Sequence, residues 1–139
     1  MIHFSLTRKV QFQHCDPAGI VFYPRYFEMV NSTVETWFEE DLNASYADIH
    51  MNRDLAVPTV HIETDFKAPS RLGDLLILEL EVIKLGGSSL KLQVTCRCDD
   101  EIRFTSELTV VCVSISDISP KRWPDDIRAA IEKRVKETP

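Results

Sequence analysis

The stretch Asp16-Pro17-Ala18-Gly19-Ile20-Val21-Phe22-Tyr23-Pro24 joins an ionisable carboxylate to what reads as the start of a helix. Pro24 suits the first helical position, where its fixed φ is already correct and its missing N–H leaves no donor stranded. The residues just before it carry backbone N–H groups that a helix terminus leaves without intrahelical acceptors, and the helix dipole adds to their pull on negative charge. Such a terminus can polarise a carbonyl or hold an anion. Asp16 lies a few residues upstream and can fold back toward it. A carboxylate facing a polarising N-terminus is suited to acyl transfer, as a general base or as a nucleophile. The same residues admit a plainer reading, in which Asp16 closes an Asx-turn with its own loop and Tyr23 is ordinary packing.

Other constellations are weaker. His14-Cys15-Asp16 strings a base, a thiol and a carboxylate together, but in an extended segment Cys15 points away from both neighbours. A Cys–His dyad within hydrogen-bond reach is therefore not expected there. No Gly-x-Ser-x-Gly elbow is present for a serine hydrolase, and His50 and His61 fall in unrelated patterns. The four cysteines, Cys15, Cys96, Cys98 and Cys112, contain no Cys-x-x-Cys pair and no zinc-type spacing, so no metal site is expected. Cys96 and Cys98 alternate along a strand on the face of Leu92 and Val94, where thiols act as small hydrophobes. Gly86-Gly87 reads as a hairpin turn and not as a helix-opening phosphate loop. With Ser88, Ser89, Lys84 and Lys91 it still offers hydroxyls, amides and charge to a nucleotide tail, or else is a plain turn with solvated lysines.

A chain of 139 residues with 44% hydrophobic side chains can bury a single core, so residues 1–139 are read as one domain. The net charge of −6 argues against general nucleic-acid binding, which wants a basic face, while leaving room for a small anionic ligand held by a few cations. Thr7-Arg8-Lys9 and Gln11 interrupt the early apolar residues, so no signal peptide is expected. No apolar run approaches the ~20 residues of a membrane span. The expectation is a soluble, cytoplasmic protein without membrane contact. Asn31-Ser32-Thr33 and Asn43-Ala44-Ser45 then match the glycosylation pattern by chance.

The elements that must position these residues follow from periodicity. Phe4 to Phe12 alternates loosely and reads as a first strand. From Pro24 to Asp41, Phe27, Val30, Val34, Trp37 and Phe38 recur at intervals of three and four, widened by Tyr26 and Met29, which predicts an amphipathic helix. Leu42 to Asp54 is polar and irregular, with room for a short helical turn. Strands are predicted where Val60, Ile62, Thr64 and Phe66 alternate with polar residues, at a sheet edge because this strand carries a polar face and follows a long loop, then Leu76 to Val82, then Leu90 to Cys98. Phe104 to Ile115 reads as one long strand, apolar on both faces. Short turns at Gly86-Gly87-Ser88 and Asp99-Asp100 make the last three strands antiparallel neighbours. Pro124-Asp125-Asp126 opens a terminal helix with Ile127, Ala130, Ile131 and Val135 inward. The layout is α+β.

The run Phe12-Gln13-His14-Cys15-Asp16-Pro17-Ala18-Gly19-Ile20-Val21-Phe22-Tyr23-Pro24-Arg25-Tyr26-Phe27-Glu28 resembles the 4-hydroxybenzoyl-CoA thioesterase family of hotdog-fold acyl-CoA hydrolases, and the order of elements over nearly the whole chain agrees. The resemblance implies a long antiparallel sheet wrapped around a central helix. It implies hydrolysis of an acyl-CoA thioester, aryl or short to medium acyl, to the free acid and coenzyme A. Asp16 would be the catalytic carboxylate and the Tyr23 backbone N–H the oxyanion donor. The acyl group would lie against Gly19, Ile20, Val21 and Phe22, joined by Val57 and Pro58 of a neighbouring chain. Ser88 and Ser89 occupy the turn that in this family helps to hold coenzyme A, although the family's basic residues are here replaced by Gly and Ser. Some hotdog thioesterases carry their carboxylate on the long helix, which makes Glu28 a second candidate; its place in the first turn is also explained by the dipole. No cofactor is required, since coenzyme A is part of the substrate. The family forms homodimers, often paired into tetramers. The competing readings are a non-catalytic acyl-CoA-binding module and an enoyl-CoA hydratase on the same fold.

Overall fold

The computed structural model describes residues Met1 to Glu137. Five strands form one antiparallel sheet in the order β1-β4-β5-β6-β3: β1 is Phe4–Lys9, β3 Thr59–Phe66, β4 Leu75–Leu85, β5 Ser89–Cys98 and β6 Glu101–Val111. Two short strands, β2 (Leu55–Ala56) and β7 (Val113–Ser114), pair beside it. The long helix α1 spans Pro24–Glu40, α2 spans Tyr46–Asn52 and α3 spans Asp125–Glu137.

Helix α1 buries Tyr26, Met29, Val30, Val34, Trp37 and Phe38 of the stripe its spacing predicts, leaves Phe27 half-exposed, and also buries Thr33, whose hydroxyl donates to the Met29 carbonyl. Against it stand Leu76, Leu78 and Leu80 of β4, Leu90, Leu92, Val94 and Cys96 of β5, and Phe104, Leu108 and Val110 of β6, all buried. Their alternation with half-exposed Glu79, Lys91, Gln93, Arg97 and Glu107 leaves the opposite face of the sheet polar. Burial pushes the Cys96 thiol up to about 12, so it packs as a neutral hydrophobe. Where α1 ends, Asn43 takes a left-handed φ of 53° and Ala44 N–H returns to the Phe38 carbonyl. Trp123, ahead of α3, packs on Phe38 and donates its indole N–H to the Ser89 carbonyl at 3.0 Å.

Four expectations are corrected. The first strand stops at Lys9, and Phe12 lies in a tight 3-10 turn with 82% of its surface exposed. The run read as Phe104 to Ile115 begins at Glu101 and breaks at Cys112, whose N–H is taken by the Ser88 carbonyl, so the chain leaves the main sheet and continues as β7. Strand β3 alternates in sequence but is exposed on both faces, with Val60 at 60% and Phe66 at 48%, because it is the outer strand beyond the reach of most of α1. Val135 shares the face of Ile131 and lies toward Val82 and Leu85, but near the end of α3 it stays 39% exposed, while Ile127 and Ile131 are fully covered.

Candidate active site

Residues 14–22 form a tight hairpin. Phe22 N–H donates to the His14 carbonyl, Asp16 N–H to the Ile20 carbonyl and Gly19 N–H to the Asp16 carbonyl, each at 2.9 Å. Gly19 holds a φ of +78°, which the turn requires and which a side chain would disfavour. The Asp16 carboxylate is half-buried, and its Oδ1 accepts the Ala18 N–H at 2.9 Å. The Asx-turn of the plainer reading is therefore present. It occupies one oxygen, and Oδ2 has no partner among the described residues.

The hairpin delivers the chain directly into α1. Tyr23 already has helical torsions, φ −53° and ψ −33°. Arg25 N–H turns back to the Phe22 carbonyl at 2.8 Å and Tyr26 N–H to the Tyr23 carbonyl at 3.0 Å, while Pro24 has no N–H. Among residues 22–26 the Tyr23 N–H alone has no acceptor, so the positive end of the helix is concentrated on one donor. The Tyr23 ring is exposed and meets the rings of Phe22 and Phe66 edge-on. Glu28 pairs with Arg25 at 3.1 Å, and both line a polar cleft of ≈ 380 Å³ with Gln13 and His14. In that cleft His14 Nδ1 accepts the Gln11 N–H at 2.9 Å, which puts the proton of a neutral imidazole on Nε2.

A second turn, 69–74, holds this assembly, and sequence reasoning gave it no part in the site. Val21 N–H donates to the Ser70 carbonyl at 2.9 Å and Leu72 N–H to the Gly19 carbonyl at 3.1 Å. The Tyr26 hydroxyl donates to Ser70 Oγ at 2.8 Å in a buried contact. Burial is the main cause raising the Tyr26 hydroxyl above its ordinary value, keeping it a neutral donor. The only signal in the sequence is a serine among turn residues.

The remaining candidates lie elsewhere in the chain. Val57 and Pro58 line a cavity of ≈ 300 Å³ with Asn31, Val34, Glu35, Tyr46, Thr59 and Val110. Burial, with Glu35 nearby, holds the Tyr46 hydroxyl protonated. Ser88 and Ser89 sit in the β4–β5 turn, whose carbonyls are engaged by Cys112, Trp123 and Arg128. The Ser88 and Ser89 hydroxyls are half-buried and unengaged. Register shows how far apart the two groups are: Ser89 pairs with Val111 and Thr59 with Val110 at one end of the sheet. At the other end Phe66 pairs with Phe104 and lies against Tyr23. The candidate residues thus form two clusters at opposite ends of β3. Among the described residues no group of three or more His, Cys, Asp or Glu side chains could hold a metal ion, and no helix is long and apolar enough to cross a membrane.

A family model described as the Thioesterase-like superfamily matches residues 10–131. A 1,4-dihydroxy-2-naphthoyl-CoA hydrolase of Nostoc punctiforme is 31% identical over 127 residues, 89% of this chain and 83% of that protein. The acyl-CoA thioesterase YbgC of Haemophilus influenzae is 23% identical over 127 residues, 91% of this chain and 93% of that protein. The crystal structure of a 1,4-dihydroxy-2-naphthoyl-CoA thioesterase from Synechocystis superposes with a TM-score of 0.84 at 23% identity, covering 92% of this chain and 94% of that one. The matched segment contains the Asp16 hairpin, the whole of α1 and all strands from β2 to β7, so the chain belongs to the thioesterase-like superfamily and has its hotdog fold.

Proposed function

We propose that this chain hydrolyses an acyl-coenzyme A thioester with Asp16 as the catalytic carboxylate and the Tyr23 N–H as the oxyanion donor. Thioester hydrolysis to a free acid and coenzyme A is the reaction of its family. The observation that carries the assignment is the single unpaired N–H at the start of α1, reached through the same hairpin that presents a free Oδ2 on Asp16. As general base, Asp16 takes a proton from the water that attacks the carbonyl carbon. As nucleophile, it forms a mixed anhydride that water then cleaves. In either course the carbonyl oxygen gains charge toward the Tyr23 N–H, the C–S bond breaks and the thiolate leaves as coenzyme A. One such donor contributes ~10²–10³ in rate. Glu28 lies just beyond the first turn of α1, not within it, and there pairs with Arg25 on the helix surface.

The complete site is read as formed by two chains. Strand β3 is an open edge, and an unpaired edge is a template for pairing. Antiparallel pairing about a two-fold axis at β3 carries the Thr59 end of one chain to the Phe66 end of its partner. The Val57–Pro58 cavity and the Ser88–Ser89 turn then approach the partner's Asp16 hairpin. In this homodimer, which can pair again into a tetramer, Ile20, Val21, Phe22, Val57 and Pro58 enclose the acyl group. Asn31, Glu35 and the Tyr46 hydroxyl supply the polar contacts of a hydroxylated aryl group, in keeping with the substrate named for the Nostoc and Synechocystis proteins. Ser88 and Ser89 face the coenzyme A portion, no further cofactor takes part, and the protein works in the cytoplasm.

A thiol-release assay over acetyl-, hexanoyl-, benzoyl- and hydroxynaphthoyl-CoA tests the proposal, with Asp16→Asn beside the natural chain. Free coenzyme A should appear with the natural chain and fall at least ~10²-fold with Asp16→Asn, the lower bound for losing a general base. Retention of more than about a tenth of kcat would remove Asp16 from the mechanism.

A further inference from the structure

Arg103 of β6 is tied to both ends of the connection between β3 and β4. Its carbonyl accepts the Lys67 N–H at 2.8 Å and the Ala68 N–H at 3.2 Å. Its Nη1 donates to the Pro69 carbonyl at 3.0 Å and to Asp74 Oδ2 at 2.7 Å. Its side chain is only 11% exposed on a sheet face that is otherwise wet. Glu101 Oε1 lies 2.8 Å from Nε, off the N–H direction, adding charge without a hydrogen bond. The turn itself is braced at its far end: Arg71 N–H reaches Asp74 Oδ2 at 2.9 Å, Val10 N–H reaches the Asp74 carbonyl at 2.8 Å, and Gly73 N–H reaches the Val10 carbonyl at 2.9 Å.

Between the clamped ends lies the strip that is bonded to both elements carrying the catalytic groups, the Asp16 hairpin and the start of α1. The Ser70 carbonyl receives Val21 of the Asp16 hairpin, and Ser70 Oγ receives Tyr26 from the first turns of α1. Leu72 returns a bond to Gly19 within the hairpin. The hairpin and the helix start are thus referenced to one short segment, whose position is set from the sheet by a guanidinium. Two bonds in different directions from one planar group fix orientation as well as distance.

We propose that Arg103, locked by Asp74, is a positioning residue for catalysis: it sets the Ser70 strip that aligns the Asp16 hairpin with the Tyr23 N–H. This rests on the assignment of Asp16 above. Displacing a reacting group by about 1 Å costs on the order of 10² in rate with little effect on binding. Loss of the clamp should therefore appear in kcat and not in KM.

The experiment compares Arg103→Met, Arg103→Lys, Asp74→Asn and Asp16→Asn as full-length proteins. It measures kcat and KM by thiol release, and amide hydrogen exchange residue by residue. Arg103→Met should lower kcat about 10- to 100-fold while KM moves less than about threefold. Arg103→Lys, which keeps one donor, should recover part of the loss, and Asp74→Asn should reproduce it. Exchange at the Val21 and Leu72 amides should accelerate, while Leu92 in the core strand stays protected. A folded Arg103→Met with kcat within twofold of the natural chain overturns the proposal, as does unchanged exchange at Val21 and Leu72. If Arg103→Met fails to fold, Asp74→Asn is judged by the same two readouts. An inactive Asp16→Asn beside an active Arg103→Met removes the clamp alone. An active Asp16→Asn removes the assignment of Asp16, and the clamp with it.

Discussion

The ring of Phe66 stands edge-on to the ring of Tyr23, their centroids 6.0 Å apart at 72°. The last residue of an outer strand is thereby seated on the residue that caps the N-terminus of the long helix, and the contact is one of rings. Tyr23→Phe should leave kcat/KM within about twofold, since the amide and the ring both remain. Tyr23→Ala keeps the amide but removes a ring contact worth about 0.5–1.5 kcal/mol, so its melting temperature should fall. Thermal unfolding and thiol release on the two variants separate the two roles, and a large kcat loss in Tyr23→Phe would return the hydroxyl to the mechanism.

Association through β3 should be measurable directly. Light scattering at micromolar concentration should give at least twice the mass of one chain. Ile62 lies in the middle of that edge and is 38% exposed. Ile62→Lys places a charge at the pairing line, the device by which natural sheets keep edges apart. The variant should shift toward one-chain mass and lose activity together with it, and an active monomer would contradict the shared site.

Acyl preference should rise with apolar size. Each well-placed methylene is worth roughly 0.8 kcal/mol, so kcat/KM should climb from acetyl- toward hexanoyl- and benzoyl-CoA until the pocket fills. A clear preference for acetyl-CoA over benzoyl-CoA would overturn the apolar wall assigned to Ile20, Val21 and Phe22.

Acid should loosen the junction of α2 and α3. Arg53 donates to both Asp126 oxygens at 2.8–2.9 Å and to Asp48 at 3.0 Å. The guanidinium is the first cause lowering the Asp126 carboxyl, and at Asp48 it acts after the Asn52 amide. Both folded values lie below the ordinary 3.8, so the unfolded chain binds more protons in that interval. The stabilisation is complete above the ordinary value and is lost as pH falls through the folded ones. Urea midpoints at pH 6 and pH 3 should therefore lie closer together in Arg53→Met than in the natural chain, whose acid loss should be the larger.

The parts of the fold legible in the sequence are those set by local period. The stripe from Tyr26 to Phe38 fixed the buried face of α1 to within a residue of its observed end, because packing and propensity agree there. The alternation from Leu76 to Cys98 did the same for β4 and β5. The break at Cys112 was not legible, because it is caused by a carbonyl at Ser88, far off in sequence. The edge position of β3 was legible in the polar face of Val60–Phe66 and the long loop before it, but the exposure of its apolar face as well was not, since that depends on how far α1 reaches. At the candidate site, the turn at Asp16 leading into a helix that starts at Pro24 could be read from one contiguous run. The bracing of that run by Ser70, Arg103 and Asp74 could not, because those partners come from the turn before β4 and from β6, far off in sequence. The separation of Val57 and Ser88 from Asp16 along β3 has the same origin.

The pairing of β1 with β4 bears on the order in which the protein can assemble. Strands β4, β5 and β6 are joined by tight hairpins and can zip as soon as each is made, whereas Phe4 waits for Leu80 and Thr64 for Ser106. Closing the longer loops costs entropy before any contact rewards it, so they follow the meander. The hairpin carrying Asp16 is bonded to Ser70 and Leu72, and that turn is itself bonded to Arg103 on β6. The most N-terminal segment of the candidate site thus takes its final bonds only after one of the later strands is in place.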